Sequence, residues 1–225
     1  MKSRVVASAV ASVCAASSAW AGLVNPLVPS WRNAPNTMFM GWESFTSAYA
    51  GPNAADMAGS STLASLFNFA PTSTLTGSGN IYSGFGSLAV MIMGGVTSAP
   101  RNPTQVVLNI ATSGAGAIND ASVALTLFDN SGNSRRLTPS TTEVRSSAAS
   151  SGGGFPGNDI TVAYSWTVPD LAWNCTRWQV DFGSTGIHTS LDTVSLDMNL
   201  VPGPGALSVL AALLPGATRG RRRRC

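Results

Sequence analysis

At 225 residues, with 10% of side chains charged and 44% hydrophobic, the chain is long enough to bury one sizeable core. Its formal charge of +3 misleads, because seven of the 13 basic residues (Lys2, Arg4, Arg219, Arg221, Arg222, Arg223 and Arg224) lie in the two terminal segments. The stretch between them carries six basic against ten acidic residues, which excludes a basic nucleic-acid-binding face there.

Residues 1–21 read as a secretory signal peptide, expected to form a helix. Lys2 and Arg4 supply the positive start, residues 5–16 a small-residue apolar core, and Ala19-Trp20-Ala21 the A-x-A cleavage rule. Cleavage after Ala21 leaves Gly22 as the first mature residue. Of three cysteines only Cys175 then stays in the mature body, so no intramolecular disulfide is available.

Residues 22–200 are expected to form one antiparallel β-sandwich, because alternation of period two recurs and helical periodicity is scarce. Strands are predicted over 37–42, 63–69 and 81–93, with one helical turn near residues 54–57. Residues 105–112 put Val106, Leu108 and Ile110 on one face; residues 122–128 do the same with Val123, Leu125 and Leu127. Asp129-Asn130-Ser131-Gly132-Asn133 has hairpin-turn composition and too few hard oxygen ligands for a calcium loop. A short strand follows over 134–138, and long loops are expected at 111–120 and 146–157. Residues 160–168 align Ile160, Val162, Tyr164, Trp166 and Val168; residues 177–182 align Trp178, Val180 and Phe182. The stretch 187–200 breaks parity: Ile187, Thr189 and Leu191 share one phase, Val194, Leu196, Met198 and Leu200 the other. A β-bulge near Asp192-Thr193 accounts for the break. Leu191-Asp192-Thr193-Val194-Ser195-Leu196-Asp197 resembles the final strand of galactose-binding-like jelly rolls, which implies a jelly-roll arrangement.

Residues 201–225 form a tail. A Pro/Gly hinge leads into an apolar run too short for the about 20 residues that a membrane-spanning helix needs, and the arginines close it as a stop-transfer cluster. Val201-Pro202-Gly203-Pro204-Gly205, the apolar run (expected as a short helix) and Arg221, Arg222, Arg223 and Arg224 together resemble the PEP-CTERM sorting signal of Gram-negative bacteria. In that family the motif is Pro-Glu-Pro, and Gly203 stands where Glu is usual. The resemblance implies signal peptidase and an exosortase-like enzyme as partners, transient inner-membrane association, and delivery to the cell surface or an exopolysaccharide-bearing matrix. The plainer alternative is an ordinary C-terminal membrane anchor.

Chemistry between the two ends is sparse. His188, the single histidine, excludes zinc-binding His clusters, and no G-x-S-x-G elbow accompanies it. Glu43, Glu143 and eight aspartates show no pairing pattern for glycoside hydrolysis. No catalytic residue, metal ligand or cofactor is expected. Trp166 and Trp178 alternate with apolar neighbours and read as core. Trp42 and Trp173 are the candidate glycan-stacking platforms. The expectation is therefore a non-enzymatic structural or adhesive surface protein; the alternatives are a carbohydrate-binding module and a secreted hydrolase.

Overall fold

The computed structural model describes residues 22–95, 101–150 and 156–202. The expected signal peptide with Ala19 and Ala21, the run 151–155, and the tail from Gly203 and Pro204 to Arg224 with its expected apolar helix lie outside the described residues.

Among the described residues the regular structure is strand, apart from one 3-10 turn at Asp120–Ser122. In chain order the strands are β1 (Thr37–Trp42), β2 (Asn53–Ala54), β3 (Ala64–Asn68), β4 (Ser73–Leu75), β5 (Ile81–Ser83), β6 (Ala89–Gly95) and β7 (Arg101–Gly114). There follow β8 (Ala124–Phe128), β9 (Ser134–Leu137), β10 (Thr141–Ala149), β11 (Asn158–Thr167), β12 (Arg177–Gly183) and β13 (Thr189–Pro202). They form two antiparallel sheets. The first runs β10-β11-β7-β13-β5-β4 with β1 also paired to β13; the second runs β2-β3-β6-β12-β8-β9.

The predicted alternation fills the space between the sheets. Val106, Leu108 and Ile110 of β7, Tyr164 and Trp166 of β11, and Leu196 and Met198 of β13 meet Leu66, Ile92, Leu125, Trp178 and Val180 of the second sheet. Each such side chain contributes about 1.5–3 kcal/mol when fully buried. Tyr164 reaches through this layer to donate its hydroxyl to Asp120 Oδ1 at 2.6 Å, and burial pushes its phenol far above the ordinary value.

The bulge lies where the parity break places it. Leu191 pairs with Thr112 and Thr193 with Ala111, so Asp192 is the extra residue. Four local expectations are corrected. Residues 54–57 make no helical turn, because Asp56 and Met57 donate their amides to the Gly41 carbonyl beside β1 instead. The single strand over 81–93 is two strands in different sheets, broken between Ser83 and Ala89. The loop predicted over 111–120 begins only after Gly114. Likewise the loop predicted over 146–157 gives up its first residues to β10, a strand polar on both faces and therefore without an alternating signature.

The outer face of the first sheet is covered by the N-terminal segment 22–36, which lies across it as a strap. Leu27 exchanges hydrogen bonds with the buried Asn109 side chain, accepting from Nδ2 at 3.2 Å and donating to Oδ1 at 2.7 Å. Arg32 forms a two-pronged ion pair with the wholly buried Asp197 and lies over the Phe39 ring, 4.4 Å from its centroid. Burial pushes the Asp197 carboxyl above the usual carboxylate range, against the pull of Arg32.

Candidate functional site

The outer face of the second sheet carries the most developed candidate surface. Its geometry follows from strand register. Phe67 of β3 pairs with Met91 of β6, which pairs with Asp181 of β12, then Ala124 of β8. One step along, the row reads Ser65, Met93, Gln179, Thr126 and Arg136. Directly opposed side chains in such rows have Cβ atoms about 4.5–5.5 Å apart.

Two parallel bands result. Phe67 stands on β3, Phe69 just past its end, and Met91 and Met93 on β6; Phe69 is 46% exposed and the other three are half-buried. The two phenyl rings are nearly parallel, inclined by 11°, with centroids 6.2 Å apart. On β12 and its neighbours stand Arg177, Gln179, Asp181 and Arg136. Gln179 donates to Asp181 at 2.7 Å, and Arg136 approaches the other Asp181 oxygen at 3.4 Å. Arg177 lies 4.5 Å over the Phe128 ring. Shallow clefts flank this surface. One, of about 400 Å³, includes Ser65, Phe67, Met93 and Arg177; the other, of about 380 Å³, includes Phe69, Met91, Asn119 and Asp181.

Chemically, this surface offers flat apolar area beside neutral and charged hydrogen-bonding groups. That combination suits a ligand with one apolar face and polar edges.

The tryptophans predicted for this role lie elsewhere. Trp42 is fully buried on β1, where its indole N–H donates to the Asn53 carbonyl at 3.0 Å, so it cannot stack on a ligand. Trp173 is half-buried and packs against the core, while its carbonyl accepts from Asn102. Trp166 and Trp178 are buried as expected.

Sequence reasoning missed Phe67 and Phe69 for a physical reason. In 63–69 the alternation is apolar on both parities, and the smaller side chains, Ala64 and Leu66, face the core. Side-chain bulk would have pointed the phenylalanines inward. A further missed ring is Phe85, 86% exposed between β5 and β6.

The remaining candidates are dispersed. His188 precedes β13 and bonds the Tyr82 hydroxyl through Nδ1 at 2.7 Å. Cys175 is buried with its thiol donating to the Arg177 carbonyl, and burial pushes that thiol up. The Asp129 loop is the turn its composition foretold: Asp129 Oδ1 accepts from the Ser131 and Asn133 amides, both at 2.8 Å. The bond from the Asn133 side chain is the main cause holding its carboxyl below the usual range. Val201 and Pro202, where the expected sorting motif begins, are exposed and still paired, as the last residues of β13, with Asn102 and Arg101.

One acidic pair is brought together. Asp192, at the bulge, and Asp159, on β11, line a cleft of about 410 Å³ with Gly22, Thr112, Ser113 and Ser146. Asp192 Oδ1 accepts from Asn80 at 2.6 Å and Ser190 at 2.7 Å. Burial pushes its carboxyl up, and the nearby Asp159 charge adds to the rise against these bonds.

No family model matches the chain, and none of the curated proteins is similar to it.

Proposed function

We propose that the chain is an exported surface or matrix protein whose β-sandwich works by adhesion, holding polysaccharide on the outer face of its second sheet. The observation that carries this reading is the pairing of two bands on that face: Phe67, Phe69, Met91 and Met93 beside Arg177, Gln179 and Asp181. Sugar rings present C–H faces that pack on aromatic and thioether groups, and hydroxyl edges that bond to amide, carboxylate and guanidinium groups. The carbohydrate-binding alternative and the adhesive reading thus become one function, with phenylalanines in the place proposed for tryptophans.

Export rests on the sequence: the 1–21 leader, and the tail formed by Val201-Pro202-Gly203-Pro204-Gly205, the apolar run and the arginines at 221–224. In this reading signal peptidase frees Gly22, the tail holds the protein transiently at the inner membrane, and an exosortase-like enzyme releases it. A jelly-roll form of the sandwich is supported by how the chain alternates: β6 in the second sheet, β7 in the first, β8 and β9 in the second, β10 and β11 in the first, β12 in the second, β13 in the first.

The test is retention of the mature protein on the host's exopolysaccharide, measured by affinity electrophoresis. Two stacking rings at about 1 kcal/mol each correspond to a loss of about 30-fold in affinity for Phe67→Ala/Phe69→Ala. Wild-type and double-variant protein migrating alike in every polysaccharide tested would overturn the assignment.

A further inference from the structure

The acidic cleft at the bulge has an unusual neighbour. Gly22, the residue that signal peptidase would make the mature N-terminus, is part of its lining. A Cβ at this position would overlap the Thr193 hydroxyl and touch Asp192 Cβ at 3.7 Å, so the Gly22 backbone lies directly against the bulge. The chain that follows is pinned: Leu23 is buried with Met57 and Ala111, and the Val24 amide donates to Thr161 Oγ1 at 3.0 Å. The position of the Gly22 nitrogen is therefore fixed by the fold from its C-terminal side.

We infer that removal of the signal peptide completes the fold, because the α-ammonium freed at Gly22 becomes the cationic partner of Asp192 and Asp159 and locks the N-terminal strap in place. The inference rests on the export reading. In the uncleaved chain the Gly22 nitrogen is a neutral amide. Hydrolysis of the Ala21–Gly22 bond consumes one water, leaves the carboxylate on Ala21, and gives Gly22 an amine that takes a proton below its ordinary pKa of about 7.7–8.0. One positive charge thus arises in a cleft lined by two carboxylates, of which Asp192 has only the neutral hydrogen-bond partners Asn80, Ser190 and Ser113 among its named contacts. Arg145 of β10, which donates to the Asn25 carbonyl, is itself paired with Glu143 at 2.8 Å. Thr112 and Ser113 of β7 and Ser146 and Ser150 on the β10 side bring no charge.

The consequence is a maturation-coupled lock. The strap covers Asn109 and Asp197 on the outer face of the first sheet, and its anchorage is strongest only after cleavage. With Asp192 ionised, the lock's contribution is present up to about pH 8 and disappears as pH rises through the raised pKa of the folded amine. At the acid end it is lost as the Asp192 carboxyl, pushed up by burial, takes a proton.

The composition makes a clean test available. Lys2 is the chain's single lysine, so the mature protein has the Gly22 α-amine as its one primary amine, and acetic anhydride at mild pH blocks it alone. The mature protein and its acetylated form are melted across pH 6 to 11, and the amine is titrated by NMR. The inference expects about tenfold tighter proton binding at the folded amine than in an unstructured peptide. It also expects a lower melting temperature for the acetylated form at pH 7, converging with the free form above the raised pKa. Asp192→Asn and Asp159→Asn should each shrink the difference; if one fails to fold, the acetylation comparison still decides. Equal melting at pH 7 with an ordinary amine titration overturns the lock while leaving export intact. An N-terminus other than Gly22 in protein from the native host overturns the cleavage site and the lock with it.

Discussion

Replacing Arg32 with methionine keeps the apolar stem over Phe39 and removes the charge facing Asp197. The Asp197 side chain is 0% exposed and that of Arg32 8%, so the pair lies in the regime where losing one partner leaves a buried, uncompensated charge. That costs about 3–5 kcal/mol. For a domain of this size each kcal/mol moves the melting temperature by about 2–4 °C, giving a loss of about 6–20 °C at pH 7. With the guanidinium gone, burial acts unopposed and the Asp197 carboxyl rises further above its unfolded value. The folded variant then binds a proton that the unfolded chain does not, so its stability should recover as pH falls toward that raised value. Thermal unfolding by circular dichroism at pH 7 and pH 5, with Arg32→Met/Asp197→Asn as the charge-free comparison, measures all three quantities. A loss below about 1 kcal/mol at pH 7, with no recovery at pH 5, matches an exposed pair and would refute the buried strap contact.

Other positions give sharper contrasts. Trp42→Phe should lower stability by about 1–3 kcal/mol in a denaturant melt, through the orphaned Asn53 carbonyl, yet leave polysaccharide retention unchanged. Gly132 has φ +86° and open space around it, so Gly132→Ala should cost about 1–2 kcal/mol from backbone strain alone. Cys175 should resist thiol reagents in the native protein at pH 8 and react on unfolding; rapid native labelling would contradict its burial.

The inner layer of the sandwich was legible because its strands alternate cleanly. Val106, Leu108 and Ile110, or Trp178, Val180 and Phe182, leave one face to bury, and the parity slip at Asp192 marks the bulge directly. The outer layers were not. Asn109, Ser195 and Asp197 look solvent-facing by alternation, yet they are buried beneath residues brought back from a distance in sequence, among them Leu27, bonded to Asn109, and Arg32, paired with Asp197. β10 was invisible because Thr141, Glu143 and Arg145 carry no apolar period. The candidate binding face was hidden by the opposite problem: Phe67 and Met91 sit on strands that are apolar on both sides, so composition cannot tell core from surface. Trp42 misled for a related reason, since its neighbour Glu43 lies just past the strand end and says nothing about the indole's direction.

Intact mass of the protein recovered from its native host, together with the fraction in which it is found, bears most directly on the account of an exported and sorted adhesin. The account predicts a species that begins at Gly22, ends between Pro202 and Gly205, and is released or bound to the matrix. A species that still carries Arg224 and sediments with the membrane would contradict it.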